Sequence, residues 1–387
     1  MAVKRKDFEQ GEGEDSKHKS SKNQLGDLLK ENKKDHYNFT EKVDWKCSTG
    51  SLTLDAATGM VSPGLWRLTG NNNSGKTPQT LEIVRNILET VPRSKCLWVI
   101  AEGRGLSEEN RARCGLKFVE DASEWEYGTV FVLNSNIFEF FINTVKTLVK
   151  ENPEENVYAF VVDSVDGLIL EADAAKEITE NNRVAGIPAL SKKMMQSLSL
   201  GMFRFGHWMG LISQVTAEIK LDERGPKGPD RGGNFSGGNS LLHAANIILN
   251  YGSSYGGDFI MDPATAKFND PKAKVIGQEV RVQIGKALKE RAKKKTLTYP
   301  IKYGRKPSGI WQEREVADLM IMYQYAIKGG AWININENML KDIRKIEPEF
   351  PEKINGINKL YETIGQYPKV IEMLKETFFL LMTKEAE

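Results

Sequence analysis

The chain has 387 residues, of which 40% are hydrophobic and 27% charged, and its formal net charge is +2. This composition is typical of a globular protein, and the length favours one main domain with smaller attachments. The three cysteines lack metal-ligand spacing and are too few for a disulfide framework, and no apolar run reaches the roughly 18 residues of a membrane helix. These features exclude disulfide-rich and membrane-spanning classes and predict a cytoplasmic protein without a membrane partner.

The N-terminal segment, residues 1–42, is expected to lie outside the main domain. Residues 1–23 have almost no apolar side chains and cannot offset their ordering entropy, so we expect them to be disordered. Residues 24–34 can form a short amphipathic helix. Such a helix could contact a partner or pack on its own domain, and the sequence does not choose between these uses.

From residue 43 onward, apolar strands alternate with helical periods. The strand candidates are 65–68, 96–101, 129–133, 158–162, 210–213, 246–249 and 280–284, and the helical periods are 79–91, 105–114, 137–150 and 188–203. This alternation predicts an α/β fold with a doubly wound, mostly parallel sheet, to which the last two strands add in antiparallel orientation.

A Gly-Gly pair at 329–330 interrupts the pattern, and helix candidates follow at 342–346, 355–361 and 368–382. We therefore predict an α/β core at residues 43–329 and a small, mainly helical C-terminal domain at residues 330–387.

The segment GNNNSGKT lies between the first strand and the first helix of the core. It matches the pattern G-x-x-x-x-G-K-[ST], in which glycines let backbone N–H groups surround phosphate at a helix N-terminus. In this pattern the lysine reaches the β- and γ-phosphates and the hydroxyl holds Mg²⁺. The predicted phosphate-binding residues are Gly70, Asn71, Asn72, Asn73, Ser74, Gly75, Lys76 and Thr77.

Three polar residues stand at or just after predicted strand ends, where open α/β sheets bind ligands. Asp163 ends one apolar strand and is expected beside the metal ion, and Glu102 follows another. A carboxylate at that position can accept a proton from water aligned on the γ-phosphate. Gln214 can bond the γ-phosphate and couple nucleotide state to the following loop. Spacing alone equally allows a strand-end glutamine satisfied by backbone.

Two other segments have unusual composition. Residues 219–240 are rich in glycine and lose the apolar period, which is typical of a functional or disordered loop. Residues 285–306 are rich in lysine and arginine. This basic segment fits either a phosphate-binding surface or a solvated strand and turn.

Several segments resemble the RecA-type strand-exchange recombinases, including phage UvsX-like members. They are CSTGSLTLDAATGM (47–60), VVDSVDGL (161–168), LSKKMMQSLSLGM (190–202), ISQV (212–215) with the loop ending GGN (237–239), EVRVQIGKALKERAKKK (279–295) and GGAWI (329–333). Each segment is a weak signal, but their shared order and spacing are specific. The resemblance covers roughly residues 43–380.

The resemblance implies a role for each site residue. Lys76 and Thr77 would bind ATP and Mg²⁺, with Asp163 supporting the metal, Glu102 acting as catalytic base and Gln214 sensing the γ-phosphate. Lys286 would reach across a subunit interface to the neighbour's ATP, and Lys289, after a slip in register, would be a second such lysine. Loops 171–188 and 215–239 would line a DNA channel, with the DNA-binding residues Arg183, Gly186, Gly233, Asn234, Gly237, Gly238 and Asn239.

The chain departs from the family in its N-terminal 45 residues, which resemble the family's filament-forming arm only in general character, and in two further places. Its second DNA-binding loop is longer than usual and mixes acidic with basic residues, so contacts do not transfer residue by residue. The helix after Glu102 lacks the aromatic residue that the family stacks on adenine, and Asn110 lies near that place.

The resulting hypothesis is an ATP-dependent DNA recombinase, a DNA-dependent ATPase that forms helical filaments on single-stranded DNA and exchanges strands. Its expected partners are single-stranded DNA, homologous duplex DNA, further copies of itself, and mediator or single-strand-binding proteins. The expected location is the bacterial nucleoid or the cytoplasm of a phage-infected cell. Two alternatives stay open: a ring helicase of the same fold, and a non-catalytic mediator or regulatory filament protein.

Overall fold

The computed structural model describes residues 21–33, 35–103, 106–176, 186–216, 234–235, 244–288 and 292–384. Residues 1–41 and 42–387 form two separate compact units. In the first unit, helix α1 (Ser21–Glu31) coincides with most of the short helix predicted at 24–34. Of the residues predicted to be disordered, 1–20 lie outside the described residues, whereas 21–23 belong to α1, so the prediction is wrong for these three.

The second unit contains the sheets. In chain order the strands are β1 (Gly64–Gly70), β2 (Ser94–Ile100), β3 (Lys117–Val119), β4 (Thr129–Asn134), β5 (Val157–Asp163), β6 (Trp208–Ser213), β7 (Val215–Thr216), β8 (Asn234–Phe235), β9 (Ile247–Tyr251), β10 (Phe259–Asp262), β11 (Lys274–Lys286), β12 (Thr296–Lys302), β13 (Ala326–Gly329), β14 (Trp332–Ile335) and β15 (Lys353–Asn355). Strands β7 and β8 pair with each other, as do β13 to β15 in the order β13-β14-β15.

Within the described residues, the central sheet has ten strands in the order β10-β11-β9-β1-β6-β5-β2-β4-β3, with β12 paired to β11. In the part of the sheet that runs from β9 to β3, every pair of adjacent strands is parallel. Strand β11 is antiparallel to β9, β10 and β12. The predicted mostly parallel sheet is therefore confirmed.

One prediction about strand direction is wrong. The sequence predicts an antiparallel strand at 246–249, whereas β9 runs parallel to β1. A parallel neighbour requires a crossover of about a dozen residues or more, and the long segment between β6 and β9 is sufficient even without a recognisable helical period. The strand predicted at 280–284 lies in β11, which is antiparallel as predicted.

Helices cover both faces of the central sheet. They are α2 (Leu52–Thr58), α3 (Lys76–Thr90), α4 (Glu108–Arg113), α5 (Phe138–Lys150), α6 (Glu171–Ala174) and α7 (Gly186–Arg204). Helix α3 contributes Ile83 and Val84 to one apolar cluster, whereas α5 and α7 contribute Phe141 and Leu198 to another. Because both faces are covered, β1 is buried along its whole length, and β5 reads as a nearly continuous apolar run.

A third apolar cluster lies towards the C-terminus. It combines α8 (Gln312–Met322), α9 (Glu337–Arg344), α10 (Ile357–Gly365) and α11 (Pro368–Lys384) with the sheet β13-β14-β15. The three helices predicted after residue 330 are present as α9, α10 and α11. The cluster also includes Val316 and Met320 of α8. A separate domain at residues 330–387 stays a prediction.

Residues 48–51, the first part of the motif that precedes the phosphate loop, lie against α3. The backbone carbonyl of Ser48 accepts a hydrogen bond from Asn86 Nδ2 at 2.8 Å. The carbonyl of Thr49 accepts one from Gln79 Nε2. Both donors lie on α3, so this segment, which we call the lead-in, is held by the helix that follows the phosphate loop.

The lead-in is also held by α8. The carboxylate of Glu315 is buried and accepts a hydrogen bond from the Ser51 hydroxyl at 2.6 Å. It also accepts the backbone N–H groups of Leu52 and Thr53, at 3.1 and 3.0 Å. These are among the N–H groups that a helix leaves without an intrahelical partner, so Glu315 caps α2 from a distant part of the sequence.

No helix in the described part of the chain combines the length and apolar character that crossing a bilayer requires.

Candidate nucleotide-binding site

The phosphate loop joins β1 to α3 and is closely packed. Gly70 has φ 156° and Gly75 has φ 95°. A Cβ atom at Gly70 would lie 2.6 Å from the carbonyl oxygen of Tyr251, and one at Gly75 would lie 2.8 Å from a methyl group of Val280. Tyr251 ends β9 and Val280 lies in β11, so these two strands pack against the loop closely enough that only glycine fits at positions 70 and 75.

The N-terminus of α3 faces this loop. The helix begins at Lys76 directly after Gly75, and among the described residues no side chain caps it. The first N–H groups of a helix lack intrahelical acceptors and carry a partial positive charge. This helix end can therefore accept a phosphate, as the motif predicts.

Lys76 is turned back onto the loop. Its side chain is buried, and Nζ donates to the carbonyl oxygens of Gly70 and Asn71, both at 2.7 Å. Burial lowers the pKa of Lys76 to about 8, while the negative charges of Asp163, Asp166 and Glu102 act in the opposite direction. Two neutral carbonyls hold the ammonium here, and phosphate oxygens offer it stronger, charged acceptors.

Thr77 and Asp163 meet at the edge of the sheet. Thr77 is the second residue of α3, Asp163 ends β5, and Thr77 Oγ1 donates to Asp163 Oδ2 at 3.4 Å. The pKa of Asp163 is raised to about 6, mainly by burial and also by the negative charge of Glu102. The positive charge of Lys76 and the hydrogen bond from Thr77 act in the opposite direction. A hydroxyl and a carboxylate are hard oxygen ligands, so the pair fits the predicted Mg²⁺ site.

Within the described residues, no three His, Cys, Asp or Glu side chains form a metal-binding group. The pair still fits Mg²⁺, which commonly takes one or two protein oxygens and completes its shell with phosphate and water.

Glu102 and Gln214 are also brought together. Glu102 follows β2 and Gln214 follows β6, and these two strands flank β5. Gln214 Nε2 lies 3.5 and 3.4 Å from the two carboxylate oxygens of Glu102, which also accepts a hydrogen bond from Ser164 Oγ. The bonds from Gln214 are long and hence easily exchanged.

The sequence interpretation missed Asp166 and Arg67. Asp166 lies in the turn after β5, and its Oδ2 accepts the backbone N–H of Gln214 at 2.7 Å and the Ser164 hydroxyl at 3.2 Å. The available signal was the second aspartate in VVDSVDGL. Arg67 is buried within β1, and its Nε donates to Ser213 Oγ at 3.3 Å. A charged residue inside an apolar strand is an equally readable signal.

The other residues of the phosphate loop differ in their contacts and exposure. The side chain of Asn71 donates to Ser253 Oγ at 2.6 Å, and Ser74 is buried beneath the loop. Asn73 adopts φ 59°, and its carbonyl oxygen accepts a long hydrogen bond from Gln278 at 3.4 Å. Asn72 is exposed at the tip.

The remaining predicted residues lie elsewhere or outside the described residues. Lys286 ends β11, two strands from β1 in the sheet. Gly186 begins α7 and Asn234 begins β8. Outside the described residues lie Lys289, Arg183, Gly233, Gly237, Gly238 and Asn239.

Asn110, in the helix after Glu102, contributes to capping and an internal contact. Its backbone N–H donates to Ser107 Oγ at 3.2 Å, and its Oδ1 accepts Arg113 Nη2 at 2.8 Å. The structure therefore gives Asn110 a local structural role within α4.

Comparisons with known proteins agree with the motifs. No family model matches the chain. The chain is 25% identical to protein RecA of Delftia acidovorans over 327 residues, covering 82% of this chain and 78% of the relative. It is 26% identical to protein RecA of Bordetella pertussis over 327 residues, covering 82% of each chain.

A crystal structure of the RadB recombinase superposes with a TM-score of 0.43 at 18% identity, covering 68% of this chain and 97% of that one. The curated relatives span most of this chain and most of their own length. Together with the ordered motifs, these relatives confirm the predicted resemblance: the chain is similar to the RecA-type recombinases.

Proposed function

We propose that this chain is an ATP-dependent DNA recombinase. In this proposal it is a DNA-dependent ATPase that forms helical filaments on single-stranded DNA and pairs that strand with homologous duplex DNA. The supporting observation is the convergence of Lys76, Thr77, Asp163, Glu102 and Gln214 at the carboxyl ends of β1, β5, β2 and β6.

The first function of these residues is to hold ATP and Mg²⁺. Lys76 exchanges its two carbonyl acceptors for phosphate oxygens, and the N-terminal amides of α3 bind the same group. Thr77 and Asp163 would hold Mg²⁺, which would supply positive charge beside the phosphate oxygens. The close packing of Gly70 and Gly75 supports this assignment because it fixes the backbone cradle in advance.

The second function is to direct water and report hydrolysis. Glu102 orients a water molecule and accepts its proton. The side-chain amide of Gln214 is a donor that can bond either Glu102 or a phosphate oxygen. Its long contact with Glu102 allows this exchange at low cost. Since Gln214 directly precedes the predicted second DNA-binding loop, the exchange links nucleotide state to that loop.

The remaining functions follow from the resemblance. Loops 171–188 and 215–239 contact DNA mainly through its backbone, which requires little base readout. Lys286, with Lys289, reaches the ATP of a neighbouring subunit and supplies a cation that balances transition-state charge. In this assignment residues 43–329 are the ATPase core and residues 330–387 a C-terminal domain. The setting is the cytoplasm, with mediator or single-strand-binding proteins as further partners.

Electron microscopy of the protein with single-stranded DNA, Mg²⁺ and a non-hydrolysable ATP analogue tests the proposal. Open helical filaments are expected with the analogue, and dispersed particles without it. Closed rings that unwind duplex DNA would instead identify a ring helicase. Single particles in the presence of excess nucleotide and DNA would contradict filament formation altogether.

A further inference from the structure

The contact between Asp166 and the backbone of Gln214 has no part in the function proposed above. Asp166 lies in the 165–167 turn that follows β5. Its Oδ2 accepts the Gln214 N–H at 2.7 Å. A hydrogen bond from a backbone N–H to a carboxylate is stronger than one between neutral groups. The main chain is thus fixed at the residue proposed to sense the phosphate.

The residue before Gln214 is fixed from the other side. Arg67 of β1 donates from Nε to Ser213 Oγ at 3.3 Å. Burial lowers the pKa of Arg67 to about 10, and the negative charge of Asp166 acts in the opposite direction. Because β6 lies between β1 and β5, groups from both neighbouring strands hold consecutive residues at its end.

The side chain of Gln214 is held much less firmly than its backbone. Its amide contacts Glu102 at 3.4 to 3.5 Å, near the limit of a hydrogen bond. Because the main chain is held firmly and the side chain loosely, the side chain can move while its backbone stays fixed. The amide can change partner while the end of β6 stays in place.

We infer that Asp166 is a positioning residue: by fixing the main chain at Gln214, it keeps the side-chain amide placed between Glu102 and the proposed phosphate site. This inference rests on the proposed function. Without Asp166, the main chain at Gln214 would be held less firmly and the amide would bond the phosphate less well, so the two nucleotide states would differ less in their effect on DNA binding. The expected defect is a loss of coupling, with nucleotide binding retained.

A double-mutant cycle tests the inference. The full-length variants Asp166→Ala, Gln214→Ala and the double variant are compared with wild type by fluorescence anisotropy on labelled single-stranded DNA. The quantity measured is the ratio of DNA affinities with a non-hydrolysable ATP analogue and with ADP. Asp166→Ala is expected to lower this ratio about tenfold, since bonds to charged acceptors are worth about that factor. The double variant is expected to equal Gln214→Ala alone.

A conservative variant keeps the test valid if Asp166→Ala does not fold. Asp166→Asn retains an oxygen that can accept the Gln214 N–H but lacks the charge. It is expected to lower the ratio about threefold, in line with a weaker neutral bond. In the Gln214→Ala background it should change nothing further. Binding of a fluorescent ATP analogue should stay close to the wild-type value in every Asp166 variant.

Glu315→Ala is the matched control, because Glu315 is also a carboxylate that accepts backbone N–H groups, yet lies outside the site. It should lower thermal stability and leave the ratio unchanged. An equal loss of ratio in Glu315→Ala, or full additivity between Asp166→Ala and Gln214→Ala, would overturn the inference. A wild-type ratio of one would instead overturn the proposed function itself, and the inference with it.

Discussion

The side-chain amide of Gln214 lies 3.4 Å from the carboxylate of Glu102, although the two residues are 112 positions apart in the chain. They meet because β2 and β6 flank β5 in a parallel sheet, so their carboxyl ends share one edge. The residue proposed to direct water and the residue proposed to sense phosphate therefore begin in contact with each other. In the proposed function, this contact opens when the nucleotide binds.

Lys76→Ala should abolish ATP-dependent DNA binding. The change removes the ammonium that the structure holds over the phosphate loop, and we expect DNA affinity with ATP to fall by about 100-fold, to the level seen without nucleotide. Anisotropy with labelled single-stranded DNA measures this loss. Lys95→Ala is the control, since Lys95 is a mostly buried lysine that contacts Glu154 outside the site. Salt-resistant complexes of Lys76→Ala with ATP would contradict the proposed coupling.

Glu102→Ala should retain ATP binding and filaments while losing turnover. Removal of a general base costs about 10²- to 10⁴-fold in rate, and phosphate release measures it. Glu102→Gln removes the basic carboxylate but keeps a hydrogen-bond acceptor, because the amide oxygen of the variant can still accept the bond from Ser164. Both variants are expected to be slow. Unchanged turnover in either of them would remove Glu102 from the proposed role.

The contribution of Asp55 to the stability of the protein should rise as pH falls from 8 to 5. Burial raises the pKa of this carboxyl to about 7, opposed by hydrogen bonds from Ser48 and Thr49, and the charge of Glu315 raises it further. The folded state therefore binds this proton more tightly than the unfolded state, for which the ordinary value is 3.8. Folding gains stability as pH falls through 7, and the gain is complete below the unfolded value.

Replacing Asp55 by Asn should remove this contribution. The difference in unfolding free energy between pH 5 and pH 8 is expected to be smaller in the variant by on the order of 2 kcal/mol. Urea denaturation at both pH values measures it, and comparison with wild type cancels the other titrating groups. An identical pH dependence in the two proteins would show that Asp55 does not titrate in this window.

Glu315→Ala should destabilise the protein by about 2 to 4 kcal/mol. It leaves the Ser51 hydroxyl and the backbone N–H groups of Leu52 and Thr53 without their carboxylate acceptor in a buried site. Urea denaturation gives the change in unfolding free energy. Glu372→Ala serves as control because its pair with Lys375 is exposed on the carboxylate side, and such pairs contribute little. Equal losses in both variants would rule out the capping role.

Local signals were sufficient to predict much of the site. The phosphate loop has a specific pattern, and apolar runs that end in Asp163 or precede Glu102 and Gln214 place these side chains at strand ends. Their meeting follows from the rule that parallel strands share a ligand-binding edge. The contacts at this edge are consistent with that expectation, while the catalytic and sensing roles stay predictions.

Other features depend on neighbours that no local pattern identifies. Asp166 and Arg67 contact the end of β6 because β6 lies between β1 and β5. This strand order is set by the pairing of segments that are distant in the sequence. The strands β13, β14 and β15 have four, four and three residues, which is too short for a period of two to stand out. The parallel direction of β9 depends on a long crossover without a helical signal.

The lead-in connects two helices of the second unit that are far apart in the sequence. Residues 48–51 accept hydrogen bonds from α3, and the Ser51 hydroxyl with the amides just after it bonds Glu315 of α8. These hydrogen bonds attach both helices to the same short segment. Because Val316 and Met320 of α8 belong to the C-terminal apolar cluster, the helix that follows the phosphate loop is joined to that cluster through the lead-in.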